Sequence, residues 1–172
     1  MMDYILNRRS VRKYDLNKKL TYDELYELCR YAEAAPSARR QESREYIIVD
    51  NQDIINELST VSKGSMILSE CNTLIAVVGK NPEGLTTPHM QPQDLSAATE
   101  NILLAATSKG LGSCWIGVYP LEDRITSSNK ILNVKDGKFV FSLVALGYPL
   151  NDDSFYDAYK LKNENVHHNN GC

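Results

Sequence analysis

Residues 94–120 place the strongest constraint on how this chain of 172 residues folds. Apolar side chains recur there at helical spacing, and two adjacent leucines extend the apolar face around most of the helix. Such a helix belongs inside a core. Asp94 is predicted to cap its start, while Lys109 and Gly110 are predicted to end it. The apolar residues are Leu95, Ala98, Ile102, Leu103, Leu104, Ala105 and Ala106.

A Gly-Leu-Gly-Ser turn follows this helix and leads into residues 114–118, an apolar run too short for another helix. We interpret the run as a buried strand. Its glycines stand where a backbone can approach a ligand closely. A buried helix followed by a strand with a glycine near each end is therefore a candidate cofactor-binding surface.

Composition excludes several function classes. With 42% hydrophobic and 24% charged residues, the chain is typical of one globular domain over residues 1–172. Its net charge of −3 argues against a nucleic-acid surface. It contains neither an apolar stretch of membrane-spanning length nor a secretory signal, so we expect a cytoplasmic protein that does not bind membranes.

The cysteines and histidines suggest no metal site. The four cysteines are widely spaced without a C-x-x-C pair, which predicts free thiols. His167 and His168 have no third ligand nearby in the sequence, so a solvated terminus is favoured over a metal site. Cys114 is interpreted as a buried thiol without a redox role.

Helices and strands alternate along the rest of the chain. Thr21 and Glu24 form a capping box for a helix that ends before Pro36. The alternation favours an α/β or α+β sheet with helices on both faces. Further helices are predicted over residues 53–62 and 122–132, and further strands over residues 46–49, 74–78 and 139–146.

Two segments allow both a functional and a structural interpretation. Arg8, Arg9, Ser10 and Arg12 form a dense basic cluster, which is either an anion site or a solvated surface. Residues 79–93 contain three prolines and two glycines and are predicted to be a long loop. That loop is either a lid or a tolerated insertion.

Five motifs in order along the chain resemble those of the nitroreductase family of FMN-dependent oxidoreductases. They are RRSVRKY, AAPSA, DLSAATENILLAA, GLGSCWIG and ALGYP. The resemblance implies an α+β fold with a central, mostly antiparallel sheet flanked by helices. It also implies an obligate homodimer with two FMN molecules in the subunit interface.

Family roles transfer to matching positions of this chain. Arg8, Arg9 and Ser10 match residues that hold the FMN phosphate and ribityl chain, and Arg12 matches the cation near the flavin pyrimidine edge. One further match is the phosphate-binding residue of the tail, here Lys160 or Lys162. The remaining matches are the loop lent to the partner subunit's flavin, Pro36, Ser37 and Ala38, and the main chain along the flavin, Trp115, Ile116 and Gly117.

The chain departs from the family pattern after Ala38. An Asn followed by Gln-Pro-Trp is common in the family, whereas this chain has Arg40 and then Glu42, Ser43 and Arg44. Arg40 either replaces an amide donor or points to solvent. A dimer is also expected because residues 114–118 would expose apolar surface in a monomer.

The activity implied by the resemblance is hydride transfer from NADH or NADPH, through bound FMN, to a small oxidised acceptor such as a nitroaromatic or a quinone. Two alternatives stay open at this point: a flavin-binding module without turnover, and a relative that degrades its own flavin. A doubly wound nucleotide-binding domain is set aside because G-x-G-x-x-G does not follow a strand.

Overall fold

The computed structural model describes residues 3–151, 154–157 and 161–169. In this part of the chain, one antiparallel sheet has helices on both faces. The strands are β1 (Arg44–Val49), β2 (Thr73–Gly79), β3 (Gly112–Gly117) and β4 (Phe139–Gly147), and their order across the sheet is β1-β2-β4-β3. The helices are α1 (Tyr4–Asn7), α2 (Tyr22–Glu33), α3 (Gln52–Ser59), α4 (Gln91–Ser108) and α5 (Glu122–Leu132).

The two central strands are buried on both faces. All of β2 is buried, and only Phe139 of β4 is partly exposed. Every pair of neighbouring strands is antiparallel, with Ile75 opposite Val144 and Val144 opposite Trp115. The predicted α+β class with a central, mostly antiparallel sheet is therefore confirmed.

Helix α4 lies against the sheet together with α2. It has 18 residues, which corresponds to about 27 Å of helix. Its end at Lys109 is as predicted, followed by Gly110 with φ of 71°. The predicted start at Asp94 is wrong, because the helix begins at Gln91. Pro92 in its first turn costs little, since the amides of a first turn have no partner within the helix.

The opposite face of the sheet is covered by α3 and α5, with Ile55 and Leu58 fully buried. The predicted helix over residues 122–132 is confirmed, while the one predicted over 53–62 ends at Ser59. The long loop predicted over 79–93 is shorter, because β2 includes Gly79 and α4 includes residues 91–93. Two 3-10 turns, Pro82–Gly84 and Pro88–Met90, occupy the residues between them.

The segment after α1 crosses the start of β3. Ser10 forms a parallel bridge with Ser113, and Tyr14 forms an antiparallel bridge with Pro149. The crossing is close: a Cβ on Gly112 would lie 2.8 Å from Cγ1 of Val11 and 3.2 Å from Cε1 of Tyr14. Glycine at position 112 therefore allows the N-terminal segment to reach the sheet.

Among the helices in the described ranges, none is both long and apolar enough to cross a membrane.

We expect Gly112→Ala to lower the free energy of unfolding by about 1–3 kcal/mol, because the added methyl overpacks the contact with Val11. Urea denaturation of the two proteins measures the difference. Gly117→Ala is the matched control, since a Cβ there has no atom within 4 Å. Equal stability of the two variants would contradict the close approach.

Candidate functional site

The basic cluster lies directly beside strand β3. The backbone N–H of Val11 donates to the carbonyl of Ser113 over 2.9 Å. This bond joins residues about 100 positions apart in the chain and places the cluster at roughly strand spacing from β3, about 4.8 Å. The N-terminal arginines and strand β3, which has glycines at both ends, therefore belong to one site.

Strand alternation decides which groups of β3 face this site. Residues two apart in a strand point their N–H and C=O groups to the same side. Because the Ser113 carbonyl meets Val11, the N–H groups of Trp115 and Gly117 also point away from β4. The Gly117 carbonyl accepts from Nη1 of Arg124 over 3.0 Å on that side. The edge of β3 thus presents backbone donors next to the cluster.

Two of the arginines leave donors available for a ligand. The Arg12 side chain is exposed and donates through Nη1 to the Ser10 carbonyl over 3.2 Å. Nε of Arg8 lies 3.5 Å from the Glu100 carboxylate on α4. Burial raises the pKa of Glu100, and the Arg8 charge opposes that rise.

The Arg9 side chain is bound mainly by backbone carbonyls next to it in the sequence. Its guanidinium donates to the carbonyls of Arg8 and Leu6, the second over 2.6 Å, and stacks 4.6 Å from the Tyr156 ring centroid. Its Nε is buried and has no hydrogen-bond partner in the described part of the chain. One N–H of Arg9 is therefore left for an acceptor that the described residues do not supply.

A cleft of about 210 Å³ opens beside this cluster. Among the described residues, two basic and three uncharged polar side chains line it. The lining residues are Ser10, Val11, Arg12, Lys13, Asn151 and Ser154.

The side chains of β3 alternate between the two faces of the sheet. Cys114 and Ile116 are buried on the α3 and α5 face, while Trp115 packs on the α4 face, 6.2 Å from the Phe141 ring. Burial raises the pKa of the Cys114 thiol, which agrees with the interpretation of an inert core cysteine. The expectation of exposed apolar surface at residues 114–118 is wrong, because Cys114, Ile116 and Val118 are all buried within one chain.

The loop that includes Pro36, Ser37 and Ala38 lies at the first turn of α4. The Ala38 N–H donates to Oδ1 of Asp94 over 2.8 Å. Arg40 is exposed, with φ of 55°. The described contacts do not join this loop to the basic cluster of the same chain.

Of the two candidate tail lysines, Lys160 lies outside the described residues. Lys162 is exposed, and its Nζ lies 3.7 Å from the Glu164 carboxylate. The described part of the tail does not bring Lys162 into contact with Arg8 or Arg12.

Sequence reasoning missed the roles of Asp94 and Arg44. Arg44 stands where the family pattern has Trp, and its side chain is only 5% exposed. Its guanidinium donates to the carbonyls of Glu33, Ala35, Pro36 and Asp94 and to the Glu33 carboxylate. The one sequence signal for the role of Arg44 was its departure from the family pattern. A cation that replaces a buried Trp must find buried hydrogen-bond acceptors.

In the described ranges, His, Cys, Asp and Glu side chains do not gather in any group of three or more able to hold a metal ion.

Comparisons with known proteins identify the family. The nitroreductase family model matches residues 5–78 and 65–148. A candidate NADH dehydrogenase/NAD(P)H nitroreductase of Archaeoglobus fulgidus is 36% identical over 155 residues, covering 90% of this chain and 88% of that protein. This chain belongs to the nitroreductase family.

Solved structures agree in fold. The crystal structure of a candidate NADH oxidase of Clostridium acetobutylicum is 33% identical, with a TM-score of 0.90, and the match covers 98% of this chain and 100% of that one. An FMN-dependent nitroreductase of Clostridium difficile is 26% identical, with a TM-score of 0.88, and the match covers 99% and 100%. The sheet and flanking helices described above are thus those of nitroreductase-fold proteins.

We expect Arg44→Met to lower the free energy of unfolding by roughly 3 kcal/mol, because it leaves several buried carbonyls without a donor. Arg40→Met is the matched control. Its guanidinium is exposed, and the expected change is within about 0.5 kcal/mol. Chemical denaturation measures both, and a loss of similar size in the two variants would argue against the buried role of Arg44.

Proposed function

We propose that this protein is an FMN-dependent oxidoreductase that takes hydride from NADH or NADPH and reduces a small oxidised acceptor of the nitroaromatic or quinone type. Family membership supports this proposal, as do the names of the relatives. The single observation that carries it is the bond between Val11 and Ser113, which brings the basic cluster to the edge of β3.

The residues at this site fit a flavin mononucleotide. A phosphate needs fixed positive charge and N–H or O–H donors, and Arg8 together with the Ser10 hydroxyl offers both, Ser10 at the cleft and Arg8 two residues before it. The buried, unpartnered Nε of Arg9 is a further donor without an acceptor in the described chain. The isoalloxazine ring needs flat backbone along one side, and Gly117 has open space where a side chain would otherwise stand.

The chain contributes binding, orientation and electrostatics. Bound FMN would supply the redox chemistry, accepting and then donating hydride. Arg8 and Ser10 would hold the phosphate, and the outward N–H groups of Trp115 and Gly117 would donate to polar ring atoms. Arg12 would place a fixed cation where negative charge gathers on reduction, which favours the reduced form.

A homodimer is part of the proposal. The Ala38 loop is fixed to the first turn of α4 at Asp94, whereas the basic cluster meets the same helix six residues later at Glu100. Six residues of helix correspond to about 9 Å along the axis. Because no described contact joins this loop to the basic cluster of its own chain, we propose that Pro36, Ser37 and Arg40 serve the flavin of a partner subunit.

Exposed apolar side chains on α1 and α2 support the proposal that a second copy of the chain binds there. Ile5 of α1 is 71% exposed, and Tyr22 and Tyr26 of α2 are 64% and 53% exposed with their rings stacked. Large exposed aromatic and aliphatic groups are typical of an interface. We also propose a cytoplasmic location, because the described cysteines, Cys29, Cys71 and Cys114, are free.

Absorbance spectroscopy of the purified protein tests the proposed function. We expect the yellow spectrum of oxidised flavin, bleaching by NADH or NADPH without oxygen, and recovery on addition of a nitroaromatic or quinone. A yellow protein that neither nucleotide bleaches would indicate a flavin-binding module without turnover. Loss of the flavin itself during aerobic turnover would indicate the flavin-degrading alternative.

We expect Arg12→Gln to retain FMN, lower the reduction potential of the flavin and slow its bleaching by nicotinamide about tenfold or more, because a fixed cation stabilises the reduced form. Lys13→Gln is the control, since it removes one charge from the same cleft. Potentiometric titration and stopped-flow absorbance provide the measurements. Loss of FMN with an unchanged potential would make Arg12 a phosphate ligand instead.

A further inference from the structure

Asp94 carries three hydrogen bonds that converge from one loop. Oδ1 accepts from the N–H of Ala38 over 2.8 Å, and Oδ2 accepts from Nε2 of Gln41 over 2.8 Å and from the Ser43 hydroxyl over 2.9 Å. The residue is 4% exposed. A buried carboxylate is stable only when its oxygens are fully hydrogen-bonded, and here the 36–43 loop supplies those donors.

Arg44 fixes the two ends of the same loop. Its Nη1 donates to the Pro36 carbonyl over 3.3 Å and to the Asp94 carbonyl over 3.2 Å. Its Nη2 donates to the Glu33 carbonyl at the end of α2 over 3.1 Å. The loop is therefore tied to the last turn of α2 and to the first turn of α4 at once.

The middle of the loop adopts an unfavourable backbone. Arg39 and Arg40 have φ of 50° and 55°, a left-handed conformation that side chains rarely adopt in succession. Such a conformation persists only where the surrounding structure determines it. The bonds from Ala38 and Gln41 to Asp94 hold the chain on either side of the two arginines, and the Arg40 N–H donates to the Ser37 carbonyl over 3.1 Å.

The loop is also joined to the segment before α4. Oε1 of Gln41 accepts from the N–H of Thr87 over 3.0 Å, and Nε2 of Gln91 donates to the Ser43 carbonyl over 2.9 Å. Both bonds lie on the buried side of the loop, whereas Arg39 and Arg40 project to the outside. The buried side is thus fixed, and the exposed side displays two guanidiniums.

We infer that Asp94 is a positioning residue of the cofactor site: it holds the 36–43 loop, with Arg39 and Arg40 left-handed, in the conformation in which that loop meets the flavin. The inference rests on the proposed function and deepens it. It states that flavin affinity depends on a buried helix residue that does not itself touch the flavin. The Asp94 carboxylate acts through the loop, and Arg44 fixes the ends.

Asp94→Asn tests the inference. The amide keeps one acceptor oxygen and turns the other position into a donor that faces Nε2 of Gln41 and the Ser43 hydroxyl. We expect the dissociation constant for FMN to rise at least tenfold. In the protein without FMN, we expect tryptic cleavage after Arg39 and Arg40, followed by mass spectrometry, to accelerate at least tenfold.

Thr99→Val is the matched control. It removes a buried hydroxyl from the same helix, one that donates to Leu95 and meets the Ser142 hydroxyl at 3.0 Å, without touching the loop. We expect it to lower the melting temperature without accelerating cleavage at Arg39 and Arg40. Ser43→Ala removes only one of the three bonds to Asp94 and should give a smaller shift in the same direction, so the inference stays testable if Asp94→Asn fails to fold.

Two results would overturn the inference. One is cleavage at Arg39 and Arg40 that is no faster in Asp94→Asn than in Thr99→Val. The other is FMN affinity that falls equally in both variants, which would indicate general destabilisation. If the unaltered protein does not bind FMN at all, the proposed function fails together with the cofactor role of the loop, and the cleavage rates alone then decide whether Asp94 fixes the loop.

Discussion

Burial of α4 against the two central strands is the interaction on which the other features depend. Leu95, Ala98 and Ile102 are fully excluded from solvent, and the Thr99 hydroxyl meets Ser142 of β4 at 3.0 Å. Burial of an aliphatic side chain contributes about 1.5–3 kcal/mol, so this one helix supplies a large share of a stability that is small in total. Both parts of the candidate site are attached to it, the 36–43 loop at Asp94 and the basic cluster at Glu100.

The sequence predicts most of the fold because most of it follows from local patterns. The capping box at Thr21 and Glu24 forms as expected, with the Thr21 N–H donating to the Glu24 carboxylate over 2.7 Å. The apolar runs become strands, and Gly110 ends α4 in a left-handed conformation. What periodicity does not predict is the order β1-β2-β4-β3, which depends on pairing between residues far apart in the chain.

The site is predicted less completely, for a physical reason. Arg8, Ser10 and Arg12 stand out by charge density, and family resemblance connects them with residues 115–117. Asp94 and Arg44 are harder to interpret, because a charged residue at the end of a helix or strand is usually a solvated cap. Their roles depend on desolvation: Asp94 receives three donors from a loop over 50 residues away in sequence, and Arg44 replaces a large apolar side chain with a guanidinium that needs many acceptors.

The bridges from Ser10 to Ser113 and from Tyr14 to Pro149 also determine when the basic cluster can be completed during synthesis on the ribosome. The cluster is translated before its partners on β3 and after β4. At about 5–20 residues per second, the arginines are synthesised roughly 5–20 seconds before the strand edge that receives them. During that interval the cationic segment has no β3 edge to pair with, so its charge is open to other anionic surfaces before the sheet receives it.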